Sequence, residues 1–133
     1  IAPYCLRLSD AITARASTHS HAWAVGALAA LRLADWPDFN RRFALSQSTG
    51  PSEGWIAAFR TGLALEAFAK LDDAAKAASG KDIAVMAASQ SGARELARFY
   101  WQVPEHSSFI EDTVETLPGA SQQRFIHALE QAG

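Results

Sequence analysis

The chain predicts an all-α domain of six to seven antiparallel helices, packed as a compact bundle or as a short stack of helical hairpins. Three observations carry that expectation. Alanine supplies 28 of the 133 residues, and 25 of these fall within the first 100 positions. Valine appears only four times, at Val25, Val85, Val103 and Val114. Alanine is the best helix former, whereas β-branched residues suit pleated sheets. Finally, clusters of Gly, Pro, Ser and Asp interrupt the apolar pattern at intervals of about one helix.

The elements follow in order. Pro3 suits an early helical position, and Leu6, Leu8 and Ile12 give a first helix from about Pro3 to Ala16 its apolar surface. Ser17, Thr18 and Ser20 offer capping oxygens before a second helix, His21 to Asp35, that is apolar nearly all round and so must be buried on several sides. Asp35 or Trp36 caps a third helix through Leu45, opened by Pro37. The stretch TGPSEG at 49–54 is the clearest loop. A fourth helix starts near Ser52 and carries Trp55, Phe59, Leu63 and Leu71, and a turn at Asp72-Asp73 leads to a short Ala-rich helix ending at Gly80. Asp82 then reads as the cap of a helix from Ile83 to Gln102, closed by Pro104. Two more run from Glu105 to Leu117 and from Ser121 to Gln131.

The bulk numbers set limits on function. With 49% hydrophobic and 20% charged residues, the chain has the apolar content for a core and is not a disordered tail. One domain is expected over 1–133, with an Ala-rich core at 1–103 and an acidic helical cap at 104–133. Residues 1–103 hold 11 Arg/Lys against 9 Asp/Glu, and 104–133 hold one against five. A net charge of −2 gives no global field to attract nucleic acid. The longest apolar run, Ala22 to Ala34, is too short for a membrane span and contains Arg32. Cys5 stands alone, so no internal disulfide or thiolate-rich metal site can form. That usage and the lack of a visible signal sequence fit a soluble cytoplasmic protein, and a start at Ile1 rather than Met reads as a fragment of a larger, bacterial-type protein.

Aligning Trp23 with Trp55, an offset of 32, pairs Ala22 with Gly54, Leu31 with Leu63, Leu33 with Leu65 and Trp36 with Phe68. Over about residues 20–78 the chain resembles the tetratricopeptide-type helical hairpin. Trp23, the LADWPDF stretch with Trp36 and Phe39, then Phe43 and Pro51 follow that family's order. It departs from the family at Phe39, where a small residue is expected, and in the missing closing proline of the second copy. The resemblance implies stacked hairpins with a concave face for a peptide or protein.

Few residues suggest chemistry. His19 and His21 are two apart, which on a helix points them away from one another and prevents chelation of one metal. His127 with Glu130, and Glu105 with His106, lack the order and number that a carboxylate-bridged metal site needs. No metal or cofactor is expected. Glu66 falls at helical spacing from Trp55, Phe59 and Gly62, so it reads either as a buried acid or as the exposed partner of Lys70. Arg41-Arg42 and Arg94/Arg98 are small basic spots, the latter beside Phe99-Tyr100-Trp101. Three consecutive aromatics span most of a helix circumference, so at least one ring should leave the main core.

The functional expectation is a non-catalytic protein-interaction or scaffold domain, binding a protein partner or itself through Arg94, Arg98, Tyr100 and Trp101. The alternative is a helical subdomain of an enzyme, using Glu66 or a histidine, or a small-ligand binder with an apolar pocket between helices.

Overall fold

In a computed structural model describing residues 1–133, the expected helices form, but there are eight of them and no strand. They are α1 (Ala2–Arg15), α2 (Ser20–Arg32), α3 (Trp36–Thr49), α4 (Gly54–Glu66), α5 (Asp73–Ala87), α6 (Gln90–Gln102), α7 (Ser107–Glu115) and α8 (Gly119–Ala132). Short 3-10 turns at Phe68–Lys70 and Pro104–His106 join α4 to α5 and α6 to α7.

Capping explains most boundaries. The Asp35 carboxylate accepts from the Asp38 amide to open α3, and Asp72 accepts from the Ala75 amide at 2.8 Å to open α5. At α2 the cap is none of the three hydroxyl residues expected. His19 Nδ1 accepts the Ala22 amide instead, and Ser20 turns inward. The α2 helix ends in a Schellman motif, with the Asp35 amide bonded to the Ala30 carbonyl and the Ala34 amide to Leu31. Ala34 occupies the left-handed position at φ 56°, where glycine is the usual residue.

The short Ala-rich stretch before Gly80 counts as a full helix, which brings the number to eight, and the boundary expected after it fails at α5. Gly80-Lys81-Asp82 looks like a stop followed by a cap, yet α5 runs straight through it. A mid-helix glycine costs only about 1 kcal/mol, and the Asp82 carboxylate is engaged elsewhere, by Arg60. The true break lies at Ala88-Ser89, where the Ser89 hydroxyl caps α6 through the Gly92 amide. A Cβ at Gly92 would lie 2.2 Å from the Met86 carbonyl oxygen, so only glycine lets this turn close.

Successive helices fold back on one another, while alternate helices run parallel. His21 meets Trp55 at the starts of α2 and α4, and Arg32 meets Glu66 at their ends. Both pairs are 34 positions apart, a register that differs from the Trp23–Trp55 alignment. Asn40 of α3 bonds the Lys70 carbonyl and the Asp72 amide at the start of α5, setting those two helices parallel as well. The α6 and α8 helices pair along their length.

Two apolar clusters fill the interior. Phe39, Phe43, Leu31, Leu63 and Leu71 centre the first, among α2 to α5. Ile83, Met86 and Leu96 centre the second together with Ile110, Val114 and Phe125, so the acidic 104–133 segment helps to build this core as well as covering it. Buried Ala24, Ala27 and Ala30 let the neighbours of α2 approach closely.

Candidate functional site

Two arginines lie inside the fold. Arg60, on α4, is fully buried with Asp82 of α5, and its Nε and Nη2 donate to the two carboxylate oxygens at 2.8 Å each. Its Nη2 also donates to the Gly50 carbonyl, and Nη1 to the Ser46 carbonyl and the Ser46 and Ser20 hydroxyls. Every guanidinium proton thus has an acceptor, as a charge at this depth requires. Burial pushes the Asp82 carboxyl above its ordinary range, against the opposing effect of Arg60.

Arg42 repeats the device one hairpin earlier. Its Nε donates to Asp38 and its Nη2 to Asp10, both at 2.7 Å, while Nη1 faces the Ser9 hydroxyl at 3.3 Å. The Arg41-Arg42 spot is therefore no basic patch, because Arg42 is buried and Arg41 pairs with Asp38. Gly26 makes room for this junction. A Cβ there would lie 2.4 Å from Ser9 Oγ and 2.7 Å from Arg42 Nη1. Beyond a lone arginine within the apolar α4, nothing local in the sequence marks either arginine as a buried partner.

The α6 residues divide. Phe99 packs against the second core and Gly62. Tyr100 turns toward α7 and α8, edge-on to Phe125, with its hydroxyl donating to Glu111. That hydrogen bond, aided by slight desolvation, holds the phenol above its ordinary pKa. Arg94, Arg98 and Trp101 instead line one groove between α6 and α8, of about 420 Å³, floored by Ala128 and Ala132. Trp101 is half exposed. The groove continues for about 260 Å³ past Arg94 to Gln90, Arg124 and His127. Gln90 faces Arg124 at one end, and Trp101 lies against Gly133 at the other, so α6 and α8 run parallel. The lining of both stretches contains no carboxylate. Arg98 is held by Glu95 on its own helix, Arg124 donates to the Ala87 carbonyl, and Arg94 makes no hydrogen bond or ion pair.

Glu66 is not a buried acid. Its carboxylate is exposed and pairs with Arg32 of α2 at 3.1 Å, rather than with Lys70. The face that carries Trp55, Phe59, Gly62 and Glu66 is the more open face of α4, and the deeply buried one is Ile56, Arg60 and Leu63. The histidines do not converge either. His19 caps α2, His21 lies tilted against Trp55, His106 lies tilted against Phe68 at 4.5 Å, and His127 lines the α6–α8 groove. No three His, Cys, Asp or Glu side chains stand together in a metal-binding group. A second open cleft, about 530 Å³, lies under Trp55 and Phe59, bounded by Val85, Met86 and Glu95. No helix is long and apolar enough to cross a membrane.

Set against protein-family models, curated proteins and solved structures, the chain has no match.

Proposed function

We propose that this chain is a non-catalytic protein-interaction or scaffold domain whose contact surface is the α6–α8 groove. One observation carries the reading. Arg94, Arg98 and the half-exposed Trp101 stand side by side along a groove without a carboxylate in its lining. Arg and Trp are the residue types that dominate interface energetics, since each combines a large contact area with directional polar groups. Tyr100 supports the surface from behind, with its ring edge-on to Trp101 at 5.1 Å.

The helical-hairpin resemblance supports the same reading. The starts of α2 and α4, Ser20 and Gly54, are 34 positions apart, the repeat length of tetratricopeptide-type hairpins. In such stacks the first helices of successive hairpins share one face.

Site-specific cross-linking tests the assignment. Benzoylphenylalanine replaces Trp101 in one protein and Lys70, far from the groove, in another, and each is irradiated in lysate of the source cells. Discrete adducts specific to position 101, lost when Arg94 and Arg98 become glutamate, are expected. Equal labelling from both positions, or adducts that survive the charge reversal, would refute the assignment.

A further inference from the structure

We infer that the α6–α8 groove receives an extended, acidic segment of a partner protein, bound with an apolar side chain at the Trp101 end. The inference rests on the protein-interaction reading above and adds the chemistry of the partner. Three arginines, Arg94, Arg98 and Arg124, border one continuous strip with no carboxylate in its lining. The strip gathers these three arginines in a chain whose net charge is only −2. An acidic segment is drawn to it, which orients the encounter. Arg98 exchanges an exposed carboxylate on its own helix for one from the partner, and Arg94 has no charge partner to give up.

The dimensions suit an extended peptide. From Gln90 to Gln102 the α6 wall rises about 18 Å, at roughly 1.5 Å per helical residue. A strand advances roughly 3.3 Å per residue, so the groove holds about five residues. Ala128 and Ala132 form a low floor that lets a backbone lie close, and Gln90, Gln102 and Gln131 offer both donors and acceptors to peptide groups. The two ends differ in character. Trp101, Ala128 and Ala132 make one end apolar, whereas Arg94 and Arg124 make the other cationic. That polarity asks for an apolar anchor at one end of the segment and carboxylates at the other. A nucleic-acid backbone has no such asymmetry, and binding one calls for a longer basic track.

Selection from a displayed library of random heptapeptides tests the inference, using the intact chain as bait. Expected is a pool enriched in Asp and Glu beside one large apolar residue. Anisotropy with a labelled selected peptide should then show binding about 10-fold weaker when its carboxylates become amides, and about 10-fold weaker to Arg94→Glu/Arg98→Glu. Arg7→Glu, on the exposed side of α1, should leave the affinity unchanged. No selection, a pool without acidic enrichment, indifference to the Arg94/Arg98 reversal, or tighter binding of a single-stranded decanucleotide would each overturn the inference. If the native chain gives cross-links specific to position 101 that the charge reversal abolishes while any of these peptide outcomes holds, the interaction reading stands and only the acidic partner falls.

Discussion

Methionine in place of Arg60 keeps most of the side chain's length but withdraws every donor from the Asp82 carboxylate. Both carboxylate oxygens accept hydrogen bonds from Arg60 alone. Breaking a buried pair from one side leaves an uncompensated charge, worth about 3–5 kcal/mol. The Gly50 carbonyl also loses its side-chain donor, adding about 1 kcal/mol. Ser20 and Ser46 add little, because each hydroxyl still donates to the other's carbonyl, at 2.6 and 2.9 Å. The loss is therefore about 4–6 kcal/mol, a large share of the ~5–15 kcal/mol that a domain holds. Urea unfolding followed by far-UV circular dichroism should show the midpoint falling by about 2–3 M, for an m-value in the usual 1–3 kcal/mol/M range. Asp82→Asn on the same background removes the stranded charge, so Arg60→Met/Asp82→Asn should recover about 2 kcal/mol over Arg60→Met alone. A single variant within 1 kcal/mol of the native protein, or a double variant as unstable as the two single losses added, would refute the reasoning.

Three further outcomes are expected. Gly26→Ala should destabilise by about 1–3 kcal/mol on thermal melting despite alanine's better helix propensity, because its Cβ meets Ser9 and Arg42; Gly119→Ala, with open space around it, should not. Ala34→Gly should stabilise by about 0.5–1 kcal/mol by relieving the left-handed residue at the end of α2, and a lower melting temperature would count against the Schellman geometry. Burial works to raise the Asp38 carboxyl, but hydrogen bonds from Arg42 and Arg41 outweigh it and hold it below 3.8. Its contribution is then fully present above about pH 3.8 and lost as pH falls through the lowered value. Acid titration should accordingly show the native protein losing its advantage over Asp38→Asn below pH 4, and an advantage that grows with acid would contradict the sign.

What could be read in the sequence follows the range of the forces involved. Helices, loops, the cap at Asp35 or Trp36 and the turn at Asp72-Asp73 are set by neighbours a few residues apart, so composition and turn residues point to them. Asp82 carries the same local signature as Asp72, and only a contact 22 positions away decides that it is no cap. Large side chains at helical spacing leave Glu66 open between a buried and an exposed reading, and only the contact with Arg32 of α2, 34 positions away, decides for the exposed one. On α4 the large rings Trp55 and Phe59 face an open cleft while Arg60 goes inside, an inversion that propensity and hydropathy cannot show. Arg94, Arg98 and Trp101 stand out by residue type and spacing alone. Their shared groove, and its extension to Arg124 and His127, depend on α6 and α8 lying parallel, which no local pattern specifies.

The two buried arginines also govern how the molecule breathes. Arg42 fastens α1 to α3, and Arg60 fastens α2, α3, α4 and α5 at a single point, so none of these helices can peel away without exposing a stranded ion. The α6–α8 portion has no such internal bolt and is joined to α5 mainly through the apolar cluster around Ile83 and Leu96, with one Arg124 hydrogen bond. Amide protons of α6 to α8 should therefore escape to solvent through partial openings that leave α2 to α5 closed. The half of the molecule that bears the groove is the half free to yield, able to widen around an incoming segment while the other half keeps its shape.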